Sequence, residues 1–130
     1  MVVHEYDVVI VGAGPVGGHL GRILSEGDLS VLILEEHLEV GKPLQCAGLV
    51  TPGAMNRTGL HHTVLSDVWG ARLNSPNGTT LVIGQPDILR THVVCRKSFD
   101  EGCVRQAMEA GATLWLDSRP TSAEIIDNRS

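Results

Sequence analysis

Aromatic side chains are scarce in this sequence, 3% of 130 residues, with one Phe, one Tyr and two Trp. A core built from it must rest on Val, Leu, Ile and Ala, the usual filling of a parallel sheet covered by helices. Cysteine is scarce too. Cys46, Cys95 and Cys103 make an odd count with no Cys-x-x-Cys spacing, which argues against a disulfide framework and a zinc site and for reduced intracellular thiols. Positive charge is in deficit, 10 Lys and Arg against 15 Asp and Glu for a net charge of −5. A general nucleic-acid surface needs a basic stripe, so no nucleic-acid partner is expected. No apolar run approaches the roughly 18–20 residues of a transmembrane span. The first apolar run is short and ends in glycine, without the basic region of a secretory signal. What is present, 42% hydrophobic and 19% charged residues, is ordinary globular usage with length for about one domain and a single core. The expected setting is the cytoplasm.

Hydrophobic patterning supplies the elements. Val8 to Val11 form a continuous β-branched run, the pattern of a strand buried on both faces. Val16, Leu20, Ile23 and Leu24 follow at helical spacing and Gly27 supplies a stop. Pro15 suits the first helical turn, where a missing N–H costs nothing. Val31 to Leu34 read as a second buried strand, so strand, helix and strand begin a parallel sheet with a right-handed crossover. Residues 35–51 are irregular, broken by Gly41, Pro43 and Gly48, and read as a long functional loop. Thr51-Pro52 resembles a helix start, with an end near Gly59. Residues 68–75 and 79–84 flank Pro76-Asn77-Gly78, which predicts a hairpin. Residues 91–95 form a short strand. Ser98 and Glu101 have capping-box spacing, followed by Val104, Ala107 and Met108 on one face and Gly111 as a stop. Gly102 sits awkwardly inside that helix, at a cost of about 1 kcal/mol against alanine. Residues 113–116 and 122–126 are the last strand candidates.

The chemistry lies in Gly12-Ala13-Gly14-Pro15-Val16-Gly17, which follows a strand and opens a helix, the context that makes a glycine fingerprint specific. Gly12 permits the tight turn, Gly14 lets the backbone approach a pyrophosphate, and Gly17 lets helix and strand pack closely. The helix N-terminus offers free N–H groups and a partial positive charge to phosphate. Gly21 extends the close-packed face. The second strand ends in Glu35, with seventeen residues between it and Gly17, where an acidic side chain accepts ribose hydroxyls. Glu36 and Glu39 read as solvated loop charges, with Glu36 also placed in the cofactor-binding set. A glutamate rather than an aspartate leans slightly toward FAD over NAD. The long loop in place of a third strand–helix unit leans the same way.

Three further segments resemble the geranylgeranyl reductase family, FAD-dependent proteins that include the archaeal digeranylgeranylglycerophospholipid reductases. Gly41-Lys-Pro-Leu-Gln-Cys-Ala-Gly-Leu-Val50 resembles that family's cysteine-containing loop beside the flavin ring. Ser75-Pro-Asn-Gly78 fits its early hairpin, and Arg96-Lys-Ser-Phe-Asp100 resembles the Arg-x-x-Phe-Asp helix start shared with aromatic-hydroxylase-like flavoproteins. The resemblance runs from about Tyr6 to Ile126. It implies an α/β fold: a Rossmann-like FAD/NAD(P)-binding domain of the glutathione-reductase-2 type, incomplete, with a β-hairpin insertion. Within it, residues 1–36 form the βαβ ADP-binding unit, 37–67 the flavin-side loop and short helix, and 68–95 the hairpin and strand. A helix over 97–111 and strands over 112–127 complete it.

The resemblance also implies roles. Gly17 lies at the pyrophosphate and Glu35 at the ribose. Cys46, Ala47 and Gly48 line the cofactor beside the flavin, Arg96 contacts FAD from its helix start, and the segment at Pro120 and Thr121 approaches the adenine side. The implied activity is reduction of C=C bonds in geranylgeranyl lipid chains. Its partners would be an isoprenoid lipid and an unidentified electron donor, with possible peripheral association at the inner membrane surface. Cys46 is the one candidate proton donor, and its bland alternative is a small buried hydrophobe. Arg96 has the alternative of a surface cation. A monooxygenase or electron-transfer dehydrogenase of the same superfamily, and a non-catalytic nucleotide-binding fragment, stay open as functions. The family's second FAD motif, a Gly-Asp pair at a strand end, does not occur after Glu35. The expectation is therefore an N-terminal portion with an uncovered apolar face, weak FAD retention and no reductase activity alone. Gly102-Cys103 stands where the family has larger apolar residues, so loose packing of that helix is expected. No metal site is expected: His61-His62 read as surface loop, Trp69 and Trp115 as packing residues, Cys95 and Cys103 as buried structural thiols.

Overall fold

A computed structural model describes residues 2–126. Strand β1 (Val8–Val11) and strand β2 (Val31–Leu34) run parallel, with Val8 opposite Val31 and Val11 opposite Leu34. Helix α1 (Pro15–Glu26) makes the crossover between them. The chain then forms β3 (Leu49–Val50), α2 (Pro52–Thr58), a 3-10 turn (His61–Thr63) and β4 (Val64–Val68). Strands β5 (Gly70–Asn74) and β6 (Thr80–Gly84) are the hairpin, followed by β7 (Thr91–Val94), α3 (Arg96–Glu109) and β8 (Thr113–Trp115). β8 adds to β2 in parallel, giving the order β1-β2-β8. β7 is flanked antiparallel by β3 and β4 in a second sheet, and β5-β6 stand apart.

Two apolar clusters hold these layers. One joins Ile10, Val31 and Ile33 of the parallel sheet to Val104 and Ala107 of α3, with Val40 from the loop. The other places Met55 and Leu60 against Val94, Phe99 and Cys103. Helix α1 contributes to the first largely by absence of side chain. A Cβ on Gly18 would stand 2.8 Å from the backbone of Cys103 and Val104, and one on Gly21 would stand 2.8 Å from Ile33 Cδ1. Helices α1 and α3 therefore meet nearly backbone to backbone, where dispersion is strongest. The apolar repeat of α1 lies elsewhere: Val16, Leu20 and Ile23 are 80%, 43% and 48% exposed. The repeat is right for a helix, but this helix packs through its glycines.

Other differences from the sequence reading have physical causes. β1 is buried on one face only. Ile10 faces the helices, while Val9 and Val11 are exposed on the other face. A β-branched run encodes strand, not which face is covered. Val68 ends its own strand, β4, which Ser66 and Asp67 concealed from an apolar pattern. β4 pairs with β7 through a register shift between Val64 and Ser66. α3 starts at Arg96, directly off β7, with Cys95 at the N-cap and no side-chain cap. Ser98 is thus inside the helix, its hydroxyl donating to Cys95 Sγ at 3.4 Å, and the capping box does not form. Gly102 and Cys103 do not loosen α3. Gly102 lets Leu60 approach, since a Cβ there would lie 2.9 Å from its methyls, and Cys103 is 1% exposed beneath Gly18. Cys95 is half-buried rather than buried, and Met108 is exposed. Residues 122–126 form no strand; residue 127, the last of the expected strand region, lies outside the described residues. Trp115 packs edge-on against His4 and Tyr6, whereas Trp69 is 43% exposed.

Candidate cofactor-binding site

The site gathers at the carboxyl ends of β1 and β2, the usual crevice of an open parallel sheet. Gly12 turns the chain at φ 102° and donates to the Leu34 carbonyl at 2.7 Å, tying the turn to β2. Gly14 is the N-cap of α1. It has no side chain to cap the helix, and a Cβ there would meet nothing within 4 Å. The first amides of α1 thus face open space without carbonyl partners from their own helix. At Gly17 a Cβ would stand 2.1 Å from the Gly12 carbonyl oxygen, so the turn closes only over glycine.

Glu35 reaches back across this turn. Its Oε2 accepts from the Ala13 N–H at 2.9 Å, and its Oε1 accepts from the His37 N–H at 3.0 Å and lies 2.6 Å from His37 Nδ1. Burial opposes ionisation, but the Ala13 and His37 amides and the His37 ring outweigh it, and the carboxyl sits below its ordinary range. The chain after β8 closes this corner. Asp117 N–H donates to the His37 carbonyl at 3.1 Å and Ser118 N–H to the Glu35 carbonyl at 2.8 Å. Arg119 comes within 3.5 Å of Glu36.

The other end is built by the loop and α3. Arg96 makes two contacts of 2.9 Å with Asp100, which is 6% exposed. That carboxylate raises the basicity of Arg96. Gly48 N–H donates to Cys46 Sγ at 3.4 Å. This amide first, and the Arg96 guanidinium after it, hold the exposed Cys46 thiol below the usual thiol range. Gly48 is fitted closely, since a Cβ would stand 2.5 Å from the Val94 carbonyl oxygen and 3.2 Å from Arg96 Cγ. Cys103 behaves oppositely, its thiol pushed up to about 11 by burial.

A cavity of about 450 Å³ joins the two ends. Gly12, Ala13, Gly14, Glu35, Glu36, Cys46, Arg96 and Pro120 all line it. Gly17 closes the turn behind the cavity, Gly48 is buried behind Cys46, and Ala47 is exposed beside it. Pro15 and Val16 instead line an apolar groove of about 830 Å³ with Leu20, Leu49 and Phe99. Sequence reasoning missed His37, Lys42, Gln45, Asp100, Ser118 and Arg119 as cavity residues. For Asp100 a signal existed, its i, i+4 spacing from Arg96. For Ser118 and Arg119 none did, because only the tertiary fold brings that segment to the acidic corner. Among the described residues no group of three or more His, Cys, Asp or Glu is arranged to hold a metal. His61 packs edge-on to His92, whose Nδ1 meets Asp67 at 2.7 Å.

A glycine turn, an uncapped helix N-terminus and an acidic strand end on one parallel sheet define a Rossmann-like FAD/NAD(P)-binding fold. No family model matches the chain. It is 35% identical over 132 residues to digeranylgeranylglycerophospholipid reductase 1 of Methanococcoides burtonii, which covers 95% of this chain and 31% of that protein. An uncharacterized protein of Methanocaldococcus jannaschii is 41% identical over 98 residues, 75% of this chain and 24% of the other. Among solved structures, a geranylgeranyl bacteriochlorophyll reductase-like protein of Thermoplasma acidophilum superposes with a TM-score of 0.77 at 27% identity. The match covers 86% of this chain and 30% of that one. A halogenase superposes with a TM-score of 0.75 at 17% identity, over 96% of this chain and 31% of its own, and shares the fold alone. The chain is similar to the digeranylgeranylglycerophospholipid reductases, and it spans about a third (31%) of the length of those relatives.

Proposed function

We propose that this chain supplies the adenosine and pyrophosphate end of an FAD site in a protein that reduces C=C bonds of isoprenoid lipid chains. The observation that carries the reading is the Glu35 carboxylate fixed across the glycine turn at 2.9 Å from the Ala13 amide, beside the open N-terminus of α1. The residues present fit such a group. Gly14 leaves the helix amides accessible, Glu35 is an ionised acceptor for a ribose hydroxyl, and Pro120 with Arg119 borders the same cavity. Bound and reduced, FAD supplies a hydride to one alkene carbon while a proton reaches the other. In this reading the chain's own residues bind and orient. The amides of α1 stabilise phosphate charge, Glu35 holds the ribose, and Arg96, braced by Asp100, presents a cation to the cofactor. Cys46 faces the same cavity as the one exposed thiol, and its depressed pKa suits a proton-handling group.

The lipid substrate and the electron donor belong to the same proposal and rest on the likeness to the digeranylgeranylglycerophospholipid reductases. No described helix is long and apolar enough to cross a membrane. Peripheral contact with a lipid surface is the form of association we propose for delivery of such a substrate. Calorimetric titration of the purified chain with ADP and with FAD tests the cofactor reading. Saturable binding of ADP, competed by FAD and lost in Glu35→Gln, is expected; absence of ADP binding sinks it. Assaying geranylgeranyl lipid with chemically reduced FAD, read by mass spectrometry, tests the substrate class in the protein that carries this chain at its relatives' full length.

A further inference from the structure

We propose that His37 competes with the ribose for the Glu35 carboxylate and so determines how many ribose hydroxyls an adenosine ligand can place there. The inference rests on the adenosine reading above. An ionised carboxylate offers about four acceptor positions. Here the Ala13 amide takes one on Oε2, and the His37 amide and ring nitrogen take both on Oε1, at 3.0 and 2.6 Å. One position on Oε2 is left, whereas a ribose diol brings two hydroxyl donors.

The three occupants differ in what it takes to remove them. The Ala13 amide is part of the glycine turn, and the His37 amide belongs to a backbone tied down by the Asp117 N–H at 3.1 Å. The His37 imidazole is on a side chain 41% exposed, so a turn about χ1 removes the ring without moving the backbone. A ligand using both ribose hydroxyls therefore displaces the ring and leaves the two amides in place. A ligand content with one hydroxyl leaves the ring where it is. The charged groups on the segments packed around His37 are Glu35 itself, Glu36 with Arg119 at 3.5 Å, Asp117, and Lys42 with Glu39 at 2.8 Å further along the loop. Of these, Glu35 is the one in direct side-chain contact with the ring.

The test is calorimetric titration of the chain, His37→Ala and Glu35→Gln with ADP and with 2′-deoxy-ADP. His37→Ala is expected to bind ADP about 3- to 10-fold more tightly than the parent chain, the worth of one hydrogen bond. The deoxy ligand supplies a readout that a merely structural histidine does not move. Loss of one hydroxyl should weaken binding more in His37→Ala than in the parent, because only the variant accepts both. Equal or weaker ADP binding by His37→Ala, or equal deoxy penalties in the two proteins, overturns the inference and leaves the adenosine reading standing. Failure of every form to bind ADP, or ADP binding untouched by Glu35→Gln, sinks the adenosine reading and this inference with it.

Discussion

Arg96 and Asp100, one helical turn apart in α3, form a two-pronged pair with both contacts at 2.9 Å. The pair sits where the loop carrying Cys46 comes down on α3: a Cβ on Gly41 would lie 2.9 Å from Lys97 Cα and 3.6 Å from Asp100 Cβ. Asp100 is 6% exposed and has no other polar partner than Arg96 among the described contacts. The pair therefore does two things, satisfying a buried carboxylate and aiming a guanidinium at the cavity.

Removing the cation should expose the first of these roles. Arg96→Ala leaves the Asp100 carboxylate buried and unpaired, which costs about 1–3 kcal/mol or more. Double substitution to Arg96→Ala with Asp100→Leu should recover part of that loss. Urea unfolding of the two variants checks it; equal stability of both to the parent would mean the pair is solvated.

The thiol at Cys46 should alkylate at lower pH than an ordinary cysteine, since the Gly48 amide and the Arg96 guanidinium favour its thiolate. Arg96→Gln should shift the Cys46 profile upward. Cys103, pushed up to about 11 and 1% exposed, should stay unmodified in the native protein. Site-resolved mass spectrometry after iodoacetamide pulses separates these from Cys95, whose thiol is also lowered by its contact with Ser98.

Gly18 and Gly53 predict opposite outcomes for the same substitution. Gly18→Ala drives a Cβ to 2.8 Å from backbone atoms of α3, and overpacking of that kind costs about 1–3 kcal/mol. Gly53→Ala lies at an exposed position of α2 with nothing within 4 Å, and should gain up to about 1 kcal/mol from helix propensity. Thermal melts of the pair decide it.

Acid should weaken the acidic corner. The Glu35 carboxyl is lowered from an ordinary value of 4.5 in the folded chain. Its contribution to stability is fully present above that value and is lost as pH falls through the lower folded value. Asp7, lowered by its bonds to Ser30, acts in the same direction. Glu35→Gln should flatten the acid limb of stability against pH. An unchanged limb would show that Glu35 is not differently bonded in the folded state.

The glycine turn, Glu35 and the Cys46 loop were legible because each is local: a turn, a strand end and a motif within a few residues. The cavity residues missed by sequence reasoning are those that arrive from a distance. Ser118 and Arg119 reach the site only because β8 pairs with β2 and the next amides bond to the Glu35 and His37 carbonyls.

The sequence by itself determined the βαβ unit. Its β-branched runs, glycine turn and helical repeat are short-range preferences that agree with one another. It also determined that an acidic side chain would stand at the end of β2. Which surfaces meet was decided only by tertiary structure. α1 buries its glycines and exposes Val16, Leu20 and Ile23 because the backbone of α3 approaches to a distance that no side chain permits. Glu35 is likewise more than the acceptor its position announces. The fold spends three of its four acceptor positions on Ala13 and His37, since a half-buried corner satisfies its own donors first.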